Sequence, residues 1–245
     1  MLTEVREWDL RDAALAAAVA TITTICWVLT LHRMRGMDMG PGTDPGSFSW
    51  FLPTWTIMMA AMMLPSALPA VVSFVRARQP RAPIAQGAVF AAGYLATWTA
   101  FGAAAFVIYR GLLNAHPAVL QWDRGGHYLV AGTAVAAGLY ELTPIKRACL
   151  RRCRTIERRG RELTLAAALR YGAFCIGCSV ALMVLLLTIG LMSITWMVVV
   201  ATILLVQKVP AAGPRLVVLS ALGLIALGGL IAIDPGWVPG LTVPT

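Results

Sequence analysis

Residues 173–191, AFCIGCSVALMVLLLTIGL, run for nineteen positions without one charged side chain. About twenty consecutive apolar residues are what a helix needs to cross the ~30 Å hydrocarbon core of a bilayer. Blocks of the same kind recur on either side, at 13–31, 50–75, 84–109, 128–144, 194–208 and 216–233. The pattern predicts an all-α polytopic transmembrane bundle of about seven spans, forming a single integral membrane domain over 1–245. The block at 128–144 is shorter than the three before it. Only Met192 and Ser193 separate the run at 173–191 from the next, which implies a tight helical hairpin. Pro53, Pro65 and Pro69 sit inside the second block, and a bend is expected near Pro65, because proline removes a backbone donor and frees the carbonyl of Ala61.

Composition agrees with hydrocarbon as solvent. The 245 residues are 59% hydrophobic and 13% charged, well under the charged share of about 25% in soluble domains. The formal charge of +9 does not point to nucleic acid, because the basic residues lie in the segments between apolar blocks, where they set orientation and meet anionic headgroups. With the N-terminus inside, Arg6, Arg11, Arg76, Arg78, Arg81, nine basic residues from Lys146 to Arg170, Lys208 and Arg215 make sixteen on the inner side. Arg33, Arg35, Arg110 and Arg124 make four on the other. That asymmetry predicts an N-in, C-out topology in a bacterial inner (plasma) membrane. MLTEVREWDLRD, with four acidic and two basic residues, does not resemble the start of a cleaved signal peptide.

Four features stand out from the apolar background. Met58/Met62 and Met59/Met63 are i,i+4 pairs within MMAAMMLPSALP, so four thioethers occupy little more than one turn. Thioether sulfur suits copper(I), and methionine also fills cores. Cys149 and Cys153 lie in the basic segment after Pro144, and Cys175 and Cys178 form a C-x-x-C. Both pairs fall at the expected inner face, where thiols more often serve metals or redox chemistry than structural disulfides. With a helix starting at Ala173, Cys175 is expected near a positive helix end that favours thiolate. His32, Met34, Met37, Asp38 and Met39 cluster in the first outer loop, and the other histidines, His116 and His127, fall on the same expected side. Glu141 is the one carboxylate placed inside an apolar block, either functional or paired with Lys146. No phosphate-cradling loop, H-E-x-x-H or dinucleotide fingerprint is present, which disfavours a hydrolytic or hydride-transfer enzyme.

W-x-x-MMAAMMLPSALP, GLYELTPIKRACLRRCR and YGAFCIGCSVALM, in that order, resemble the uncharacterised bacterial family of predicted metal-binding integral membrane proteins, over about Trp50 to Gly229. The resemblance implies metal binding at these motifs. It also implies a histidine where this chain has Tyr171, a second cysteine where it has Ser179, and an acidic residue where it has Gln207. The remaining expected ligands are Met58, Met59, Met62, Met63, Cys149, Cys153, Cys175 and Cys178, with copper as the first metal. Transport, delivery to a membrane or metal-accepting partner, and sensing all stay open. So do a membrane thiol–disulfide carrier, with Cys175 as nucleophile and Cys178 resolving, and a non-catalytic scaffold subunit.

Overall fold

The computed structural model describes residues 9–35, 45–78, 81–115, 126–154, 164–189, 193–209 and 213–234. Among them are eight helices and no strand: α1 (Leu10–Met34), α2 (Phe48–Arg78), α3 (Pro83–Ala115), α4 (Gly126–Glu141), α5 (Pro144–Arg154), α6 (Thr164–Ile189), α7 (Ile194–Lys208) and α8 (Gly213–Ile233). Five of them, α1, α2, α3, α6 and α8, are long and apolar enough to cross a membrane. The pair α4 and α5 passes the same test only together and is bent by 63° between Glu141 and Pro144. At 15 residues, α7 measures about 22 Å, shorter than the hydrocarbon core.

Contacts between helix ends fix how the bundle runs. Asp12, near the start of α1, accepts from Arg76 Nε at the end of α2 at 2.9 and 3.0 Å. Arg78 donates to Thr164 at 3.2 Å, and Thr164 donates to Gln86 at 2.9 Å. The start of α1, the end of α2 and the starts of α3 and α6 therefore share one end of the bundle. At the other end Arg33 donates to Thr54 at 2.9 Å, and Arg110 to the Gly46 carbonyl at 2.9 Å. Asp9 caps α1 by accepting from the backbone N–H groups of Arg11 and Asp12, while its own N–H donates to the Asp12 carboxylate.

The central helix is α2, with Met58 to Leu64 all buried. It continues through all three of its prolines, so Pro65 does not divide the span. Close packing by α1, α3 and α7 explains why the helix tolerates the lost donors. The most extensive helix pair is α4 with α8. Gly138 permits it: a Cβ there would lie 2.8 Å from the Ala221 carbonyl oxygen, contact that no side chain accepts.

Two expectations are corrected. The basic stretch after Pro144 is helix rather than loop through Arg154, and α6 starts at Thr164 rather than Ala173. Cys175 thus lies three turns inside α6, beyond the reach of an N-terminal dipole, whose effect fades within the first turn. Apolarity marks where a helix can meet hydrocarbon, not where its backbone bonding begins, and Arg170 hid the first turns of α6. The residues at 190–192, which carry the expected hairpin turn, lie outside the described residues.

Candidate functional site: a thiol pair and a buried lysine

Cys149 and Cys153 stand one turn apart on α5 and face α6. A Cβ on Gly177 would meet Cys149 Sγ at 2.8 Å, so the glycine is what lets the half-buried Cys149 lie against α6. One turn further along α5, Cys153 Sγ lies 4.0 Å from Cys178 Sγ, and both residues are buried. Cys178 also donates to the Cys175 carbonyl at 3.2 Å. The two sequence pairs therefore meet, through a sulfur contact between Cys153 and Cys178.

Cys175 belongs to a different set of contacts. Its sulfur is 3.1 Å from the Tyr94 hydroxyl and 3.2 Å from Lys208 Nζ. The same ammonium donates to Ser66 Oγ at 2.7 Å and lies 5.8 Å from the centre of the Tyr171 ring. Tyr171 packs against Tyr94 and Phe90, with centroids 5.3 and 5.8 Å away. Ser179 Oγ donates to the Cys175 carbonyl at 2.6 Å. Residues 171 and 179, where the family resemblance implies ligands, thus flank Cys175 and are filled by an aromatic stack and a backbone-bonded hydroxyl. Sequence reasoning passed over Lys208, counting it only as a loop charge; its place at the end of an apolar block was the available signal.

Met58, Met59, Met62 and Met63 are all buried in the same apolar cluster as Cys153, Cys175 and Cys178. Met62 and Met63 stand one turn before Ser66 on α2, so the methionine turn connects to Cys175 through Ser66 and Lys208. Among the described residues, no three His, Cys, Asp or Glu side chains are gathered as a metal-ligand set. In the outer cluster His32 is exposed and Met34 buried; Met37, Asp38 and Met39 lie outside the described residues, as does His116.

A second polar group lies where α4, α5, α7 and α8 meet. Glu141 and Lys146, both fully buried, form an ion pair across the bend. Lys146 Nζ also donates to Gln207 Oε1 at 2.9 Å, and Gln207 Nε2 donates to Glu141 Oε2 at 2.6 Å and Ser220 Oγ at 2.8 Å. Ser220 donates to Glu141 Oε2 at 3.2 Å. A buried charge pair persists only when its remaining hydrogen-bonding positions are filled, and Gln207 fills them from both sides. The Glu141–Lys146 pairing that the sequence offered as one alternative is present, and both side chains are enclosed by the bundle.

Buried thiols paired across two helices, beside a turn of buried methionines, define a helical protein whose donor chemistry is soft. A family model described as PpoB2, copper chaperone, matches residues 52–231, and the chain belongs to that family. No curated protein and no solved structure matches it.

Proposed function

We propose that this chain is an integral membrane copper chaperone that holds copper(I) between Cys153 and Cys178 and passes it to a protein partner. The observation that carries the reading is the 4.0 Å sulfur separation of two buried cysteines in a member of a copper chaperone family. Metal–sulfur bonds of about 2.3 Å set two sulfurs ~3.8 Å apart across a tetrahedral angle and ~4.6 Å apart across a straight one. A thiolate pair at this spacing closes on a soft ion with small side-chain motion. Cys149 and Cys175 flank it as secondary thiols, and Met58, Met59, Met62 and Met63 supply thioethers that bind copper(I) weakly enough to release it.

Membrane residence is supported by five apolar helices of spanning length and by exposed Ile22, Ile25, Val28, Leu219 and Leu222 on α1 and α8, which hydrocarbon would cover. We read α4 and α7 as short crossings, giving seven spans with the N-terminus and the thiol pair on the cytoplasmic side of a bacterial inner membrane. Copper content of the purified protein tests the function: about one copper(I) per chain, lost in Cys153→Ser and Cys178→Ser, is expected. Equal copper in wild type and both variants overturns the site. Labelling of Cys149 from outside intact cells overturns the orientation.

A further inference from the structure

Beside the thiols, the end of α5, the second half of α2 and the end of α7 enclose a cavity of about 250 Å³. Arg154 and Lys208 both line it, together with Ser66, Ser73, Tyr171 and Cys153, and among the described residues no carboxylate does. We propose that this cavity docks a small anionic thiol that delivers copper(I) as its thiolate complex, an inference resting on the copper(I) reading above.

Charge sets the form in which copper arrives. Two cationic side chains oppose a bare copper(I) ion and attract a carboxylate, so only a complex whose ligands make it anionic gains by entering. Arg154 Nη2 donates to the Gln207 carbonyl, while its Nε is buried with no hydrogen-bond partner. A carboxylate reaching Nε would satisfy that donor with a charge-assisted bond. The volume falls just under the range of small-molecule sites, about 300–1,000 Å³, which suits part of a small carrier and not a protein segment.

Cys153 gives the docked ligand something to react with. It lines the cavity and has Cys178 4.0 Å behind it. The copper–sulfur bond to the carrier breaks as a copper–sulfur bond to Cys153 forms, and the proton of the Cys153 thiol leaves on the carrier's sulfur. Copper stays copper(I), so no oxidant or reductant takes part. Cys178 then displaces the carrier's second thiolate from copper, its own thiol proton leaving on that sulfur, and two protein ligands make return to the carrier slower.

The test uses the full-length protein in detergent, with glutathione as the probe. S-methylglutathione, which cannot carry copper, should bind the metal-free protein saturably by titration calorimetry. Arg154→Gln should weaken it at least tenfold and Arg154→Lys should restore most of it. In stopped-flow loading, Arg154→Gln should lower the rate from copper(I)–glutathione at least tenfold relative to the rate from copper(I)–acetonitrile. Loading from acetonitrile without saturable S-methylglutathione binding overturns the carrier site and leaves the copper(I) reading standing. No loading from either source overturns both. Loss of S-methylglutathione binding in micelles containing phosphatidylglycerol assigns the cavity to a lipid phosphate and overturns the proposal.

Discussion

Lys208 Nζ lies 3.2 Å from Cys175 Sγ, so the thiol that C-x-x-C singles out as reactive is already engaged by an ammonium group. Two unit charges ~4 Å apart interact by about 4 kcal/mol at an effective dielectric of 20. A copper ion at Cys175 would meet that repulsion at closest range; Cys153 shares a cavity with Lys208, and its sulfur lies against Cys178 at 4.0 Å. Lys208→Met removes the cation and places a thioether beside Cys175. Copper(I) affinity, measured by competition with a chromogenic chelator, should rise by about tenfold or more, tenfold being ~1.4 kcal/mol. Unchanged or weaker affinity would show that the ammonium does not compete with the metal.

The same geometry separates the chaperone reading from thiol–disulfide exchange. A disulfide needs sulfurs about 2.05 Å apart, and Cys153 and Cys178 bring theirs to 4.0 Å from two different helices. Mild oxidation of the metal-free protein with diamide should therefore link Cys153 to Cys178, as read by peptide mass mapping, and prior loading with copper(I) should protect both. A Cys175–Cys178 link as the main product would favour the carrier reading instead.

The apolar helices were legible because hydrocarbon permits few charges, and the blocks stand out wherever charges stop. Their ends were less so. Basic residues from Lys146 to Arg154 read as loop, yet they form α5, whose Leu150 and Cys153 are buried. The cysteines could be placed on one side of the bundle from the excursion between two spans; which sulfurs meet depends on the 63° bend before α5, set by tertiary packing and carrying no local sequence signal beyond Pro144. Gln207 was noted only as a replacement for an acidic residue, although it is the centre of the Glu141–Lys146 network.

That network makes a stability prediction. Glu141→Ala leaves Lys146 buried and unpaired, and breaking one side of a buried pair costs about 3–5 kcal/mol. Thermal unfolding in detergent should show a large loss for Glu141→Ala and for Lys146→Ala. The double variant should lose clearly less than the sum of the two, because neither charge is then stranded. Additive losses would mean that the two side chains do not stabilise each other in the folded protein.

Tyr171 and Ser179 offer the most direct test of what this chain has given up relative to the pattern its motifs resemble. Tyr171 is one helical turn before Cys175, and Ser179 one turn after it, so all three side chains lie along one face of α6. Both positions are buried. The tyrosine ring is held by Phe90 and Tyr94, and the serine hydroxyl is bonded to its own helix; neither is a soft donor as it stands. Tyr171→His with Ser179→Cys introduces an imidazole and a third α6 thiol around Cys175 at nearly the same helix positions. The smaller imidazole also loses part of the aromatic stack, so a cost of about 1–3 kcal/mol in stability is expected from imperfect packing. If the bundle here is the scaffold of a metal site, copper(I) stoichiometry should rise from about one to about two per chain, with sulfur and nitrogen ligands visible by X-ray absorption. A stably folded double variant that binds no additional copper would show that residues 171 and 179 do not border a site the fold can close around a metal.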